Sequence, residues 1–280
     1  GSVCTLALLL EVSAPPKPGR VDRLGNGAHN DMDFSTFLSS TAAIAPYFSA
    51  CAKAGTELPA LDGAALARIR PLGVQCDQVM LAAAKGANTH KGAIFSLGIL
   101  ACAAGFLHRE GALSPAAVCA AAAIIAAPAL KDFDHPASNT KGLRLYAQQG
   151  VTGIRGEAAS GFASARQWAL PILEELSGKD FSENDVHLQA LLLLMANLRD
   201  TNLLARGGEE RLAHVRSAAR EALAHGGALS VDGKARLIAM DKDFPRRNLS
   251  PGGCADLLAV AIFLHRLPGL AGGGEGSLCR

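Results

Sequence analysis

The chain has 280 residues and a mass of 28.8 kDa, with 27 basic and 25 acidic residues giving a formal net charge of +2. These charges are spread along the whole length without a basic tail or like-charge run, which speaks against a general nucleic-acid-coating role. Apolar residues make up 49% but aromatics only 5%, and the Ala- and Leu-dominated remainder suits close-packed helices better than sheets.

The opening Gly1-Ser2 has the form of a cloning remnant, and the Leu-rich residues 3–10 lack the basic n-region and cleavage site of a signal peptide. Apolar residues recur at helical spacing over 34–48, with Asp31 or Asp33 as the N-cap. Ser114-Pro115 opens an Ala-rich helix after Gly111. Residues 160–176 form a helix around Trp168, interrupted or bent near Pro171. Ser182-Glu183-Asn184-Asp185 starts the helix over 186–198 with an acidic first turn. Residues 209–225 are amphipathic, and Gly226-Gly227 stops them. Ser250-Pro251 begins the last helix, and 271–280 form a loose tail around Gly272–Gly274. The expectation is an all-α fold of roughly ten to twelve helices in a single domain over 1–280, since neither a repeat nor a Gly/Ser linker divides the chain.

Four apolar runs (92–107, 116–130, 188–198 and 257–264) are shorter than the ~20 residues of a membrane span and read as core helices. The seven cysteines form no C-x-x-C pair and read as reduced thiols of a cytoplasmic protein, packed as small hydrophobes. His108, His135, His187, His214, His225 and His265 read as surface or helix-face residues without a role.

Chemistry concentrates where glycine meets a cation and an acid. Pro18-Gly19-Arg20-Val21-Asp22 runs on to Asn26-Gly27-Ala28-His29 and Asp33. Asn88-Thr89-His90-Lys91-Gly92 precedes an apolar helix, and Gly153-Ile154-Arg155-Gly156-Glu157 follows the helix of Tyr146. Asp200-Thr201-Asn202 leads to Arg206-Gly207-Gly208, and Ser250-Pro251-Gly252-Gly253 leads to Asp256. Glycine at a helix start bares backbone N–H groups that bind anions with the helix dipole, while Lys or Arg adds formal charge. Several such loops converging, with a positive lining, would hold a polyphosphate, and adjacent carboxylates would ligate Mg²⁺ or move protons. Each motif also has a plainer reading. Asp31 and Asp33 suffice as helix caps, Arg206-Gly207-Gly208 as a C-cap, and His90 as a structural imidazole.

The ordered set resembles the triphosphoribosyl-dephospho-CoA synthases, the family that includes the citrate lyase cofactor enzyme and its malonate decarboxylase counterpart. Pro16-Lys17-Pro18-Gly19, Asn26-Gly27-Ala28-His29, Asn88–Phe95, Gly153–Glu157, Asp200-Thr201-Asn202 and Asn248–Gly253 carry the likeness, in order over about 11–267. Arg199 departs from it, standing where the family pattern places Gly, and the chain begins almost at the first motif.

The resemblance implies that ATP is opened at its glycosidic carbon by the ribose 2′-hydroxyl of 3′-dephospho-CoA. Adenine leaves through an oxocarbenium-like transition state. The product is the prosthetic-group precursor of citrate lyase or malonate decarboxylase, whose acyl carrier subunit is served downstream. Such chemistry needs a base, help for the departing adenine, and cations on the triphosphate. Phosphates are assigned to Lys91, Arg155, Arg206 with Gly207, and the N–H groups of Gly252 and Gly253. Asn88, Thr89, Ser250 and Asp256 are further substrate-binding candidates. Asp22, Glu157 and Asp200 are the Mg²⁺ candidates. His29 and His90 are the proton-transfer candidates, with Asp33 and Asp22 also counted as catalytic. Glu11 is read as a structural contact to the first loop. A homo-oligomer is admitted; nucleic acid and membrane are not expected partners. The rival classes are a Mg²⁺-dependent all-helical nucleotide or ADP-ribosyl hydrolase, though no His-Asp dipeptide occurs, and a non-catalytic scaffold.

Overall fold

In the computed structural model, which describes residues 1–134 and 141–271, local capping chemistry sets where most helices begin. After α1 (Ser2–Val12) comes a long loop over 13–33, closed by Asp33, whose Oδ1 accepts from the Thr36 backbone N at 2.7 Å to start α2 (Phe34–Thr56). Next come α3 (Ala64–Ala83) and α4 (Lys91–Arg109). Ser114 Oγ caps α5 (Pro115–Ala126), which runs on into a 3₁₀ turn at Ala127–Phe133. Two short helices follow, α6 (Lys141–Gln149) and α7 (Gly153–Ala159). A π-turn at Ala165–Ala169 then merges into α8 (Leu170–Leu176). Proline lacks the N–H an α-helix uses, and the widened turn just before Pro171 accommodates that loss.

Ser182 caps α9 (Glu183–Asn197), and Asp200 caps α10 (Thr201–Ala224). α10 is broken at Gly207-Gly208, where Gly208 takes φ 70, a conformation side chains disfavour. The chain closes with α11 (Val231–Arg246), α12 (Gly252–Arg266) and α13 (Pro268–Ala271). All regular structure among the described residues is helical, and twelve of these thirteen α-helices have seven residues or more. The all-α expectation holds. Residues 153–157, read as an inter-helix segment, lie instead inside α7. Neither Asp31 nor Ser250 caps a helix, and the residue before α12 is Pro251, with no side-chain cap.

The larger of two apolar clusters among the described residues runs from Val3 in α1 to Leu267, centred on α4, α9 and α12, and the smaller gathers Val12, Val21, Met32, Phe37, Ala84 and Ala87. By length and composition α4 and the stretch Pro115–Phe133 could each cross a membrane, at 19 residues, so the expectation that every run falls short is corrected for these two. In the fold α4 instead packs against α1, α2, α3, α5, α7 and α12. The α2–α4 seam is the most extensive helix contact among the described residues. Gly55 lies against the backbone carbonyl of Cys102, and Gly105 against that of Ala52, so a Cβ at either would collide with main chain. The thiols of Cys4, Cys51, Cys76, Cys102, Cys119 and Cys254 are buried and unpaired. His187 is buried within α9, not at the surface. His135, Cys279 and the tail residues 272–280 lie outside the described residues.

Candidate active site

The N-terminal turns of α4, α7, α10 and α12 meet around a cavity of about 990 Å³. Seven of the residues singled out from sequence line it: Asn88, Lys91, Arg155, Glu157, Asp200, Gly253 and Asp256. Apolar side chains, among them Tyr47, Leu66, Ile69, Ile94, Phe95 and Ile99, complete the lining. A space of this size lined by apolar side chains and convergent polar groups is the usual form of a small-molecule site.

Asn88 Oδ1 accepts from the Lys91 backbone N at 3.2 Å and so starts α4 at the cavity edge. Gly92, in the first turn, faces Asp256 so closely that a Cβ would collide with its Oδ2. Four cations (Arg70, Lys91, Arg155, Arg199) and five carboxylates (Asp77, Asp132, Glu157, Asp200, Asp256) line the wall, so the expected positive lining is corrected to a mixed one. The cations are paired. Lys91 Nζ stands 3.4 Å from Asp77, while Arg70 and Arg155 share Asp132 at 3.0 and 3.4 Å. Arg199, where the family pattern has Gly, binds Glu209 and reaches Gln149 at 3.4 Å.

Of the carboxylates, Glu157 accepts from the Ser164 hydroxyl at 2.5 Å and backbone N at 3.1 Å. Asp200 Oδ1 accepts from the backbone N of Asn202 and Leu203, and Oδ2 from that of Cys254 at 3.0 Å, tying α10 to α12. Asp256 differs. Burial pushes its carboxyl up to about 7 against the opposing pull of Arg20, and Glu11 and Asp200 push the same way as burial.

Next to the cavity lies a second cluster. Arg20 Nη1 donates to Ser250 Oγ at 3.0 Å and stands 3.3 Å from His29 Nε2, which is itself 2.9 Å from Ser250 Oγ. Arg206 Nη1 donates to Asn248 Oδ1 at 2.5 Å, and Arg211 Nη1 donates to Asn248 O at 3.2 Å. Among the described residues no carboxylate stands within ion-pair distance of Arg20, Arg206 or Arg211. Burial and the neighbouring Arg20 hold the Arg206 guanidinium below its ordinary range, and burial with Arg20 and Arg206 lowers His29 to about 4. Asn202 joins the two regions: it lines the cavity, and a Cβ on Gly252 would meet its Nδ2 at 2.7 Å and Arg20 Nη1 at 3.4 Å. Arg206, Gly207, Ser250, Gly252 and His29 therefore belong to or flank this cluster and do not line the cavity. The Gly252 N–H is already bonded to Ser250 O at 2.9 Å, whereas Gly253 faces the cavity.

Several sequence assignments are corrected. Asp22 is buried and accepts three backbone N–H bonds, from Lys17 at 2.7 Å, Leu24 at 2.7 Å and Gly25 at 3.1 Å, so it folds the first loop. Its neighbour Lys17 forms a buried 2.5 Å ion pair with Glu11, the structural contact expected of Glu11. His90 is buried behind the wall, 3.0 Å from Thr41 Oγ1 and edge-on to Phe37, and burial lowers it to about 3. Thr89 faces Ser40 at 2.7 Å, away from the cavity. Asp33 is an exposed cap. Asp22 does not join Glu157 and Asp200 at the cavity, and no group of three or more metal-ligating side chains occurs among the described residues. With most of their lone pairs engaged by protein donors, these carboxylates do not fit a metal held by the protein alone.

Arg20 is a site residue that the sequence assignments lack, although Pro18-Gly19-Arg20 carries its signal. Arg70, Asp77 and Asp132 carried no local signal, because helix-face charges look like solvated ones until the fold turns them inward.

Comparison with known proteins decides the family. The profile described as ATP:dephospho-CoA triphosphoribosyl transferase matches residues 1–274. The chain belongs to that family. It is 42% identical over 266 residues to the 2-(5″-triphosphoribosyl)-3′-dephosphocoenzyme-A synthase of Pectobacterium atrosepticum, covering 94% of this chain and 87% of the relative. A probable synthase of the same name from Albidiferax ferrireducens is 45% identical over 271 residues, 95% and 90% of the two chains. The synthase of Escherichia fergusonii is 40% identical over 268 residues, 94% and 88%. No solved structure matches. Membership in this transferase family bears out the resemblance and makes the chain an enzyme; the hydrolase and scaffold classes give way to it.

Proposed function

We propose that this triphosphoribosyl transferase carries out its reaction between the two regions just described, with the triphosphate of ATP on the arginine cluster and 3′-dephospho-CoA in the cavity. The ribose 2′-hydroxyl of dephospho-CoA attacks the glycosidic carbon of ATP, adenine leaves, and all three phosphates are retained. The observation that carries this reading is the contrast in charge: among the described residues Arg20, Arg206 and Arg211 lack acidic partners, whereas the cations of the cavity wall are already paired. Unpaired guanidinium groups suit the most highly charged group in the reaction. Ser250, Asn202 and the first turn of α12 stand beside them. The apolar lining of Tyr47, Ile94 and Phe95 suits a base or pantetheine arm, and Lys91, Arg70 and Arg155 can exchange carboxylate partners for the diphosphate.

Magnesium enters as the companion of the triphosphate, because Mg²⁺ keeps several waters and binds chiefly through substrate phosphates. The whole chain acts as one domain, in the cytoplasm. The product is the prosthetic-group precursor of citrate lyase or malonate decarboxylase, and an acyl carrier subunit is served downstream. Mass spectrometry of a reaction with ATP, Mg²⁺ and dephospho-CoA tests the reading. The adduct and free adenine are expected together; adenine with free ribose triphosphate and no adduct would sink it in favour of hydrolysis.

A further inference from the structure

We infer that the Asp256 carboxylate is the base that takes the proton of the attacking ribose hydroxyl. The inference rests on the transferase reading above and adds the identity of the proton acceptor.

Elimination carries much of the argument. A base must reach the cavity and keep a lone pair free for substrate. Among the five carboxylates of the wall, Asp77 is paired with Lys91 and Asp132 with two arginines. Glu157 is held by Ser164, and Asp200 takes three backbone N–H bonds. Asp256 is in no ion pair, and the Ala93 backbone is the one donor that acts on its carboxylate among the described residues, so it keeps the most free acceptor capacity of the five. Both imidazoles that the sequence offered lie outside the cavity lining, His29 against Ser250 and His90 behind the wall.

Gly92 supplies the second observation. Gly92 is the second residue of α4, in its first turn. At this position any Cβ would strike Asp256 Oδ2, so the glycine clears the space beside that oxygen. The first turns of α4 and α12 thereby hold one carboxylate between them at the cavity wall.

The groups acting on Asp256 come from each side: Arg20 from the first loop, Glu11 from α1, Asp200 from the start of α10, and the Ala93 backbone from α4. Burial outweighs the two that favour the charged form, and the titration near 7 suits a group that both accepts and releases a proton at neutral pH. In the step itself the C–O bond forms between the 2′-oxygen and the glycosidic carbon as the hydroxyl proton passes to Asp256. The C–N bond breaks with its electron pair on adenine, which takes up one proton from water. Asp256 then returns its proton to water, and the balance closes.

The test uses the full chain and the isosteric Asp256→Asn variant, with adduct formation, adenine release and equilibrium ATP binding measured for both. The expected result is a kcat loss of about 10²–10⁴-fold with both KM values and ATP affinity little changed. In the unaltered chain kcat/KM should rise with pH through about 7, because the base works ionised, and the variant should lose that limb. A variant that keeps kcat within about threefold, or keeps the limb, would overturn the assignment while the unaltered chain still forms adduct. Failure of the unaltered chain to form adduct would instead strike the transferase reading.

Discussion

Asp22 is buried and Asp256 half-buried, and both closely follow glycine in sequence, yet the fold gives them opposite work. Around Asp22 the first loop curls so that three backbone N–H groups point at its two oxygens. Around Asp256 two helix starts leave the oxygens facing a cavity. The number of donors already in place decides whether a buried acid holds the chain together or stays free to act. The buried Lys17–Glu11 pair beneath the first loop belongs with Asp22 on the structural side.

Substitutions can break this contrast from either end. Lys17→Met, which keeps the volume and removes the charge, leaves Glu11 buried and unpaired; unfolding by urea should show a loss of about 3–5 kcal/mol. Removing both charges, as Glu11→Gln with Lys17→Met, should recover most of it. On the active side, Gly92→Ala drives a methyl into Asp256, and a displacement on the order of 1 Å should cost about 10²-fold in kcat with the fold intact. A variant with unaltered kcat would mean that the carboxylate has room the structure does not give it. Arg206→Ala should raise the KM for ATP about tenfold and leave that for dephospho-CoA nearly unchanged, since one charge-assisted contact is worth roughly 1.5–3 kcal/mol. Equal changes in both would remove the triphosphate from the arginine cluster. The smallest effect belongs to Asp33→Ala, a slight fall in the urea midpoint from a lost cap, with steady-state kinetics unchanged.

Much of the helical layout was legible because its causes are local. Asp33, Ser114 and Ser182 each cap the helix their sequence context announces, and Gly207-Gly208 breaks α10 where the pattern does. Pro171 widens the turn before it for a reason carried by its own ring. Convergence was legible only in part. Lys91, Arg155, Glu157, Asp200, Gly253 and Asp256 do meet, as the ordered motifs implied. The division of labour among them was not, since it depends on partners distant in the chain: Asp200 on Cys254, Arg20 on Ser250, Gly92 on Asp256. His90 shows the same limit, for its motif is correct while its ring turns inward to Thr41.

Backbone against backbone, Gly55 and Gly105 let α2 and α4 touch with no side chain between them. A joint of that kind has no soft filling to compress, so α4 behaves as a strut bolted along its length, with Gly92 at its tip. Whatever movement admits two bulky nucleotides then falls to elements outside this joint, such as the short α7 and the break in α10 at Gly207-Gly208. Crowding either glycine of the joint would be felt a helix-length away, at the oxygen of Asp256.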